Sequence, residues 1–223
     1  MHTRFTAPLL AAVALLAGSH AHAQQTLPVD QIVANMQQVY DTVNDFSADF
    51  RQEYTNMTLG ETDVSTGELH FLKPGMMRWD YLSPIRFFII DGSALWIYEP
   101  SGSNEQGNGQ YYTQDLDDSD LPTALRFLMG QGSFAQDFEI SLIESNAAGY
   151  TLELVPRQDE SQYRKLQFVI DATTWRVNET VIFDPVGNTN RFVFTNRTEN
   201  GGLVAADFQF TPPPGARQIE EPN

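Results

Sequence analysis

If this chain does chemistry, carboxylates must do it. His2, His20 and His22 sit in a leader-like stretch, which leaves His70 as the one remaining imidazole, and the chain has no cysteine. A three-histidine metal centre is therefore out of reach, and a mixed cysteine–histidine site is missing its thiolates. No Gly-x-Ser-x-Gly elbow and no Gly-x-x-x-x-Gly-Lys phosphate loop occurs, so no cofactor is expected. The acidic run from Asp115 to Asp120 suggests calcium at first sight. A calcium loop opening at Asp115 needs glycine in sixth place and a carboxylate in twelfth, and those places hold Asp120 and Arg126. Negative charge at the start of a helix explains the run better. What is left is a carboxylate pair of the kind that glycosidases use. Among 29 acidic residues, some pair falls near that separation by chance, so a hydrolase is kept only as the lesser alternative.

The ends and the charge narrow the class further. Arg4, the apolar run from Ala7 to Ala17 and the Ala21-His22-Ala23 site form the pattern of a secretory signal peptide. Its apolar core is shorter than the ~20 residues that a membrane helix needs. Residues 1–23 are expected to be cleaved, leaving residues 24–223 as one domain of an exported protein. Without cysteine there is no disulfide framework and no attachment point for a lipid anchor. The formal charge is −16, and one unit more negative once Arg4 leaves. That excludes a basic nucleic-acid surface and disfavours lingering on anionic lipid. Neither a nucleic-acid partner nor stable membrane insertion is expected.

Any candidate residues must be positioned by the elements that the pattern predicts. Val29, Ile32, Val33, Met36, Val39, Tyr40 and Val43 recur at three and four, which gathers them on one stripe of a helix. At Phe46, Ala48 and Phe50 the period switches to two, and a strand starts. From Gly67 to Pro100 the chain reads as successive strands, and Phe87, Phe88, Ile89 and Ile90 offer apolar groups to both faces. Something must cover each face. His70 alternates with Leu69 and Phe71 and is expected to face solvent. Leu121 to Gly130 reads as a short helix, and six further strands are expected: Phe138–Ile143, Tyr150–Val155, Leu166–Ile170, Val177–Phe183, Arg191–Thr195 and Leu203–Phe210. Few helices and about ten antiparallel strands indicate an α+β domain with one large curved sheet. On residue pattern alone, its apolar residues fit an ordinary core.

A resemblance changes that balance. Phe46-Ser-Ala-Asp-Phe-Arg-Gln52, Lys73-Pro-Gly-Met-Met-Arg-Trp79, Asp91-Gly92, Leu95-Trp-Ile-Tyr98 and Phe208-Gln-Phe-Thr-Pro-Pro213 resemble the outer-membrane lipoprotein carrier (LolA) family of Gram-negative periplasms. The likeness implies an incomplete β-barrel with helices as a lid over an apolar cavity. It implies no enzymatic activity. It also implies a monomeric chaperone that binds the acyl chains of triacylated lipoproteins. An inner-membrane ATP-driven lipoprotein-release complex would be the donor and an outer-membrane lipoprotein acceptor the recipient.

The same likeness suggests roles for particular residues. Trp79, Phe88, Ile90, Trp96, Leu125, Leu128 and Met129 are candidates for the acyl-chain cavity and its lid. Met77, Trp79 and Tyr81 share the face expected to look inward, whereas for residues 87–90 either face could be the cavity side. Lys73 stands where family members often carry an arginine that latches the lid, and Met77 where an aromatic meets the receptor. A lysine offers one flexible point charge in place of a planar fork. A lipid-sensing regulatory protein of the same fold is the other alternative, although such proteins usually add a second domain.

Overall fold

The computed structural model describes residues 27–102, 108–116 and 133–220. One helix, α1 (Val29–Thr42), comes first, and it buries Ile32, Val33 and Met36 from the predicted stripe. The Pro28 carbonyl accepts from the amides of Gln31 and Ile32, so proline starts the helix where its missing N–H costs nothing.

Six strands follow: β1 (Asp45–Asn56), β2 (Glu61–Leu72), β3 (Met76–Leu82), β4 (Ile85–Asp91), β5 (Ala94–Pro100) and β6 (Gly109–Asp115). After a one-turn helix, α2 (Phe134–Asp137), come β7 (Phe138–Ser145), β8 (Gly149–Pro156), β9 (Lys165–Asp171), β10 (Val177–Phe183) and β11 (Thr189–Glu199). A 3-10 turn (Ala205–Phe208) precedes the two-residue β12 (Arg217–Gln218).

The twelve strands among the described residues lie in one sheet, in the order β12-β6-β5-β4-β3-β2-β1-β11-β10-β9-β8-β7. Two antiparallel meanders, β1 to β6 and β7 to β11, are joined where β1 pairs with β11, Phe50 opposite Phe194. The terminal strands β7 and β12 do not meet, so the curved sheet stays open. Gly67 is required where β2 passes β3. A Cβ there would lie 2.2 Å from the Asp80 carbonyl oxygen and 2.7 Å from the Phe50 ring.

Alternation along the strands sorts side chains onto two faces. The inner face, on which α1 packs, carries two apolar clusters. One joins Ile32, Val33 and Met36 of α1 to Leu152, Leu154, Leu166, Phe168 and Ile170 of β8 and β9. The other gathers Phe46, Phe50, Leu69, Phe71, Met77, Tyr81 and Ile90 of β1 to β4. On the outer face a third cluster of Phe87, Ile89 and Tyr98 is covered by Phe210 and Ala216.

The C-terminal segment is where pattern and structure part. Leu203–Phe210 is not a strand. Asn200 (φ +53°) and Gly202 (φ +88°) turn the chain off the end of β11, and the segment crosses the outer face. There the amide of Val204 donates to the Asp207 carboxylate at 2.8 Å. Apolar residues alternating over a short stretch look the same in a strand and in a strap laid across one.

Candidate functional site

An apolar cavity of about 110 Å³ opens at the seam between the two inner-face clusters. Phe46, Leu69 and Trp79 form one wall, Leu166, Phe168 and Ile182 the opposite wall, and Phe192 and Phe194 the floor between them. Tyr40 of α1 and Phe134 of α2 close it from above. The Trp79 ring lies 5.0 Å from Phe192 and 4.9 Å from Phe50, so the wall is a ring-on-ring surface that shape alone holds in place. Its polar lining is sparse. Arg197 reaches it, with Nη2 donating to the Val177 carbonyl at 2.6 Å and the guanidinium carbon 6.0 Å from the Phe46 ring centre. Burial pushes the Tyr40 phenol above its ordinary pKa, with the Arg197 charge opposing. At neutral pH the phenol is therefore uncharged, as an apolar cavity requires.

The end of α1 is tied down by polar bonds. Lys73 Nζ donates to the Tyr40 carbonyl at 2.6 Å, and the Lys73 amide donates to the Asn44 carbonyl at 2.8 Å. Asn200 accepts from the Asn44 amide at 2.8 Å and donates to the Thr42 carbonyl at 3.2 Å. Buried Asp45 takes the amides of Gly201 (2.7 Å) and Gly202 (3.2 Å). The last carbonyls of a helix lack intrahelical partners, and here a lysine and an asparagine from distant strands supply them. The body of α1, by contrast, is held to the sheet by apolar contacts. The helix is thus anchored by polar bonds at its C-terminal end and packed through apolar contact along its buried stripe.

Of the residues singled out from sequence, Trp79 lines the cavity. Phe88 and Ile90 lie on the same inner face, extending its apolar surface beside the cavity. Trp96 does not. Its strand neighbours set it on the outer face, where its ring meets Phe210 at 5.7 Å and its Nε1 donates to Asp91 at 2.9 Å. Met77 is also corrected. With 3% of its surface exposed, it shares the inner face with Trp79 and Tyr81 through the period of two, and it offers no surface to a receptor in this conformation. Leu125, Leu128 and Met129 lie outside the described residues. Lys73 stands at the strand end expected of it and engages α1 through a single carbonyl.

Sequence reasoning missed Tyr40, Phe46, Phe192, Phe194 and the β9–β10 wall. The alternation of Phe192 and Phe194 was a usable signal for one face. It did not say which other strands would stand opposite. His70 sits on the outer face with Nδ1 3.0 Å from Ser47 Oγ and Nε2 3.6 Å from Glu68. Among the described residues no cluster of three metal-ligating side chains occurs.

The family model for the outer membrane lipoprotein carrier protein LolA matches residues 41–211. The chain belongs to the LolA family. Among its relatives is an outer-membrane lipoprotein carrier protein of Chromobacterium violaceum, 28% identical over 93% of this chain and 94% of the relative. Another, of the same description, comes from Nitrosomonas europaea at 26% identity over 79% and 82%. Both relatives are named as carriers. The fold is also that of an uncharacterized conserved protein from Thermus thermophilus, with a TM-score of 0.51, 14% identity and coverage of 86% of this chain and 98% of that one. The LolA match takes in the bonds at the end of α1, since Tyr40 immediately precedes it and Thr42, Asn44, Lys73 and Asn200 fall inside it. No helix among the described residues is long and apolar enough to cross a membrane.

Proposed function

We propose that this chain is a periplasmic carrier chaperone, without enzymatic activity, that shelters the acyl chains of lipoproteins between two membranes. The observation that carries the reading is the seam cavity, lined by rings and aliphatic groups and roofed by a helix whose buried stripe, Ile32, Val33 and Met36, packs on the sheet through apolar contacts. Three acyl chains, on the order of 45 methylenes at about 0.8 kcal/mol each, would cost roughly 35 kcal/mol to expose to water. Free diffusion of such a molecule is excluded at that cost, so a carrier must cover most of the surface.

The cavity is too small for this as it stands. At about 110 Å³ it falls well below the ~300–1,000 Å³ of ordinary ligand pockets. Loading therefore requires α1 to swing away from β8 and β9, exchanging its own apolar stripe for the cargo's chains. That exchange is nearly balanced, because one greasy surface replaces another. Near-balance is what a shuttle without its own energy source needs, since the cargo must be surrendered as well as held.

In this reading residues 1–23 are a cleaved leader and residues 24–223 one carrier domain, acting as a monomer in the periplasm. Cargo comes from an inner-membrane ATP-driven release complex and passes to an outer-membrane lipoprotein acceptor. The test is to purify the mature protein from the periplasm and identify bound molecules by mass spectrometry. Acylated peptides are expected. A lipid-free protein whose Trp79 emission does not respond to added acyl chains would overturn the reading.

A further inference from the structure

We infer that Arg86 is the anchor for the polar head of the bound acyl chain, an oxygen acceptor such as an ester carbonyl or a phosphate; the inference rests on the carrier reading above. Arg86 stands at the start of β4, opposite Tyr81 of β3, on the inner face. Its guanidinium carbon lies 4.4 Å from the Tyr81 ring centre and 5.3 Å from that of Phe88. Its Nε is buried and has no hydrogen-bond partner. The Tyr81 phenol beside it is raised above its ordinary pKa by burial, against the opposing charge and hydrogen bond of Arg86, so it stays neutral; among the described residues no carboxylate forms an ion pair with Arg86.

Both facts are unusual in this chain. Among the described residues, arginines that are not fully exposed otherwise have partners: Arg78 with Asp80, Arg176 with Glu199, Arg191 with Glu53 and Glu179, and Arg197 with the Val177 carbonyl. With acids this abundant, a cation is easily neutralised. Glu99, on the neighbouring strand β5, bonds instead to Gln110 at 3.0 Å and forms no ion pair with Arg86. A desolvated donor without an acceptor is expensive in the empty state and becomes an asset when a ligand supplies the oxygen.

Position fits the chemistry. Phe88, under the guanidinium, pairs across the strands with Trp79 of the cavity wall, and the Phe50 ring touches both Trp79 and Tyr81 at 4.9 Å. One layer of rings separates Arg86 from the cavity. An acyl tail lying in the cavity along these rings carries its head towards the free Nε–H. The stacked rings hold the guanidinium in place before the ligand arrives, which limits the entropy lost on binding. A guanidinium suits the task because it keeps its charge and its fork of donors even when partly desolvated.

The experiment compares the wild-type mature protein with Arg86→Gln and Arg86→Lys. Affinity is read by displacement of an anilinonaphthalene dye by three probes: a synthetic tripalmitoyl-cysteinyl peptide, phosphatidylglycerol and hexadecane. Arg86→Gln is expected to weaken at least one headed probe by about 10-fold or more while leaving hexadecane within about 2-fold, and Arg86→Lys to recover part of the loss. A loss confined to the peptide assigns the ester or amide carbonyl as the acceptor, and one confined to phosphatidylglycerol assigns the phosphate. Unchanged affinity for both headed probes overturns the inference and leaves the carrier reading standing. An equal loss for hexadecane also overturns it, since Arg86 would then be only packing. Failure of the wild-type protein to bind any of the three would sink the carrier reading and this inference with it.

Discussion

The two faces of β4 carry nearly the same side chains and have opposite fates. Phe87 and Ile89 point outward and are sealed by the chain's own C-terminal strap, through Phe210 and Ala216, with fully buried Phe208 in the 3-10 turn beside it. Phe88 and Ile90 point inward, beside a cavity that α1 helps to cover. Apolar residue type does not distinguish a core from a binding surface. What distinguishes them is whether the cover is fastened. The strap continues from the turn at Asn200–Gly202 to β12, where it pairs with β6. Helix α1 is fastened by polar bonds at one end and by exchangeable apolar contact elsewhere.

The largest way to break this contrast is on the outer face. Phe208→Ala is expected to cost about 3–5 kcal/mol, read as a lower urea midpoint, while acyl-chain affinity of the folded fraction stays unchanged. If affinity fell with stability, the two faces would not be independent. Trp79→Ala on the inner face should show the reverse. Its stability loss should be smaller, because the residue already borders empty space, but acyl-chain binding should drop by about 10-fold or more. The same split should appear optically, with Trp79 emission shifting on ligand addition and Trp96 emission staying constant.

A subtler effect is expected at the C-terminal end of α1. Lys73→Met removes the donor to the Tyr40 carbonyl, and amide exchange in α1 should accelerate by about 10-fold while the global urea midpoint moves little. Uniform acceleration across the sheet would show that Lys73 supports the whole fold and does not hold the helix in particular.

The smallest effect concerns Asp91 at the β4–β5 turn. Burial pushes its carboxyl up, but donors from Trp96, Ser93 and Ala94 outweigh this and hold it below the usual carboxylate range. A depressed folded value means stability that is present above the unfolded pKa of about 4 and is lost as pH falls through the folded one. Asp91→Asn should therefore cost under about 1 kcal/mol at pH 7, since the group is only partly buried and solvent screens it. The difference from wild type should shrink as pH falls below about 4 and vanish once the carboxyl is protonated in both states, as measured by urea unfolding across pH.

Much of this contrast could be read before any coordinates. The stripe on α1 and the alternation of β1, β3 and β9 are written in single residues, because a strand shows its faces every second position and a helix every third or fourth. The motif from Lys73 to Trp79 pointed to the family, and its two ends lie at the bond to the end of α1 and in the cavity wall. Two residues stand elsewhere than their expected roles required, for different reasons. Trp96 was assigned by residue type, yet its face depends on the register of β4 and β5. The inward face of Met77 was legible from the period of two, and only the receptor role that the resemblance attached to it conflicts with its burial.

Local geometry, then, was legible residue by residue: which segments are strands, which side chains share a face, and that β4 needs cover on both sides. The identity of the covers emerged from the folded chain alone. The pairing of β1 with β11 brings Phe192 and Phe194 between walls from opposite halves of the chain, and Asn200 reaches back over 156 residues to hold the end of α1. Such long-range closures depend on how two meanders meet, and nothing in a local pattern encodes where a distant strand will dock.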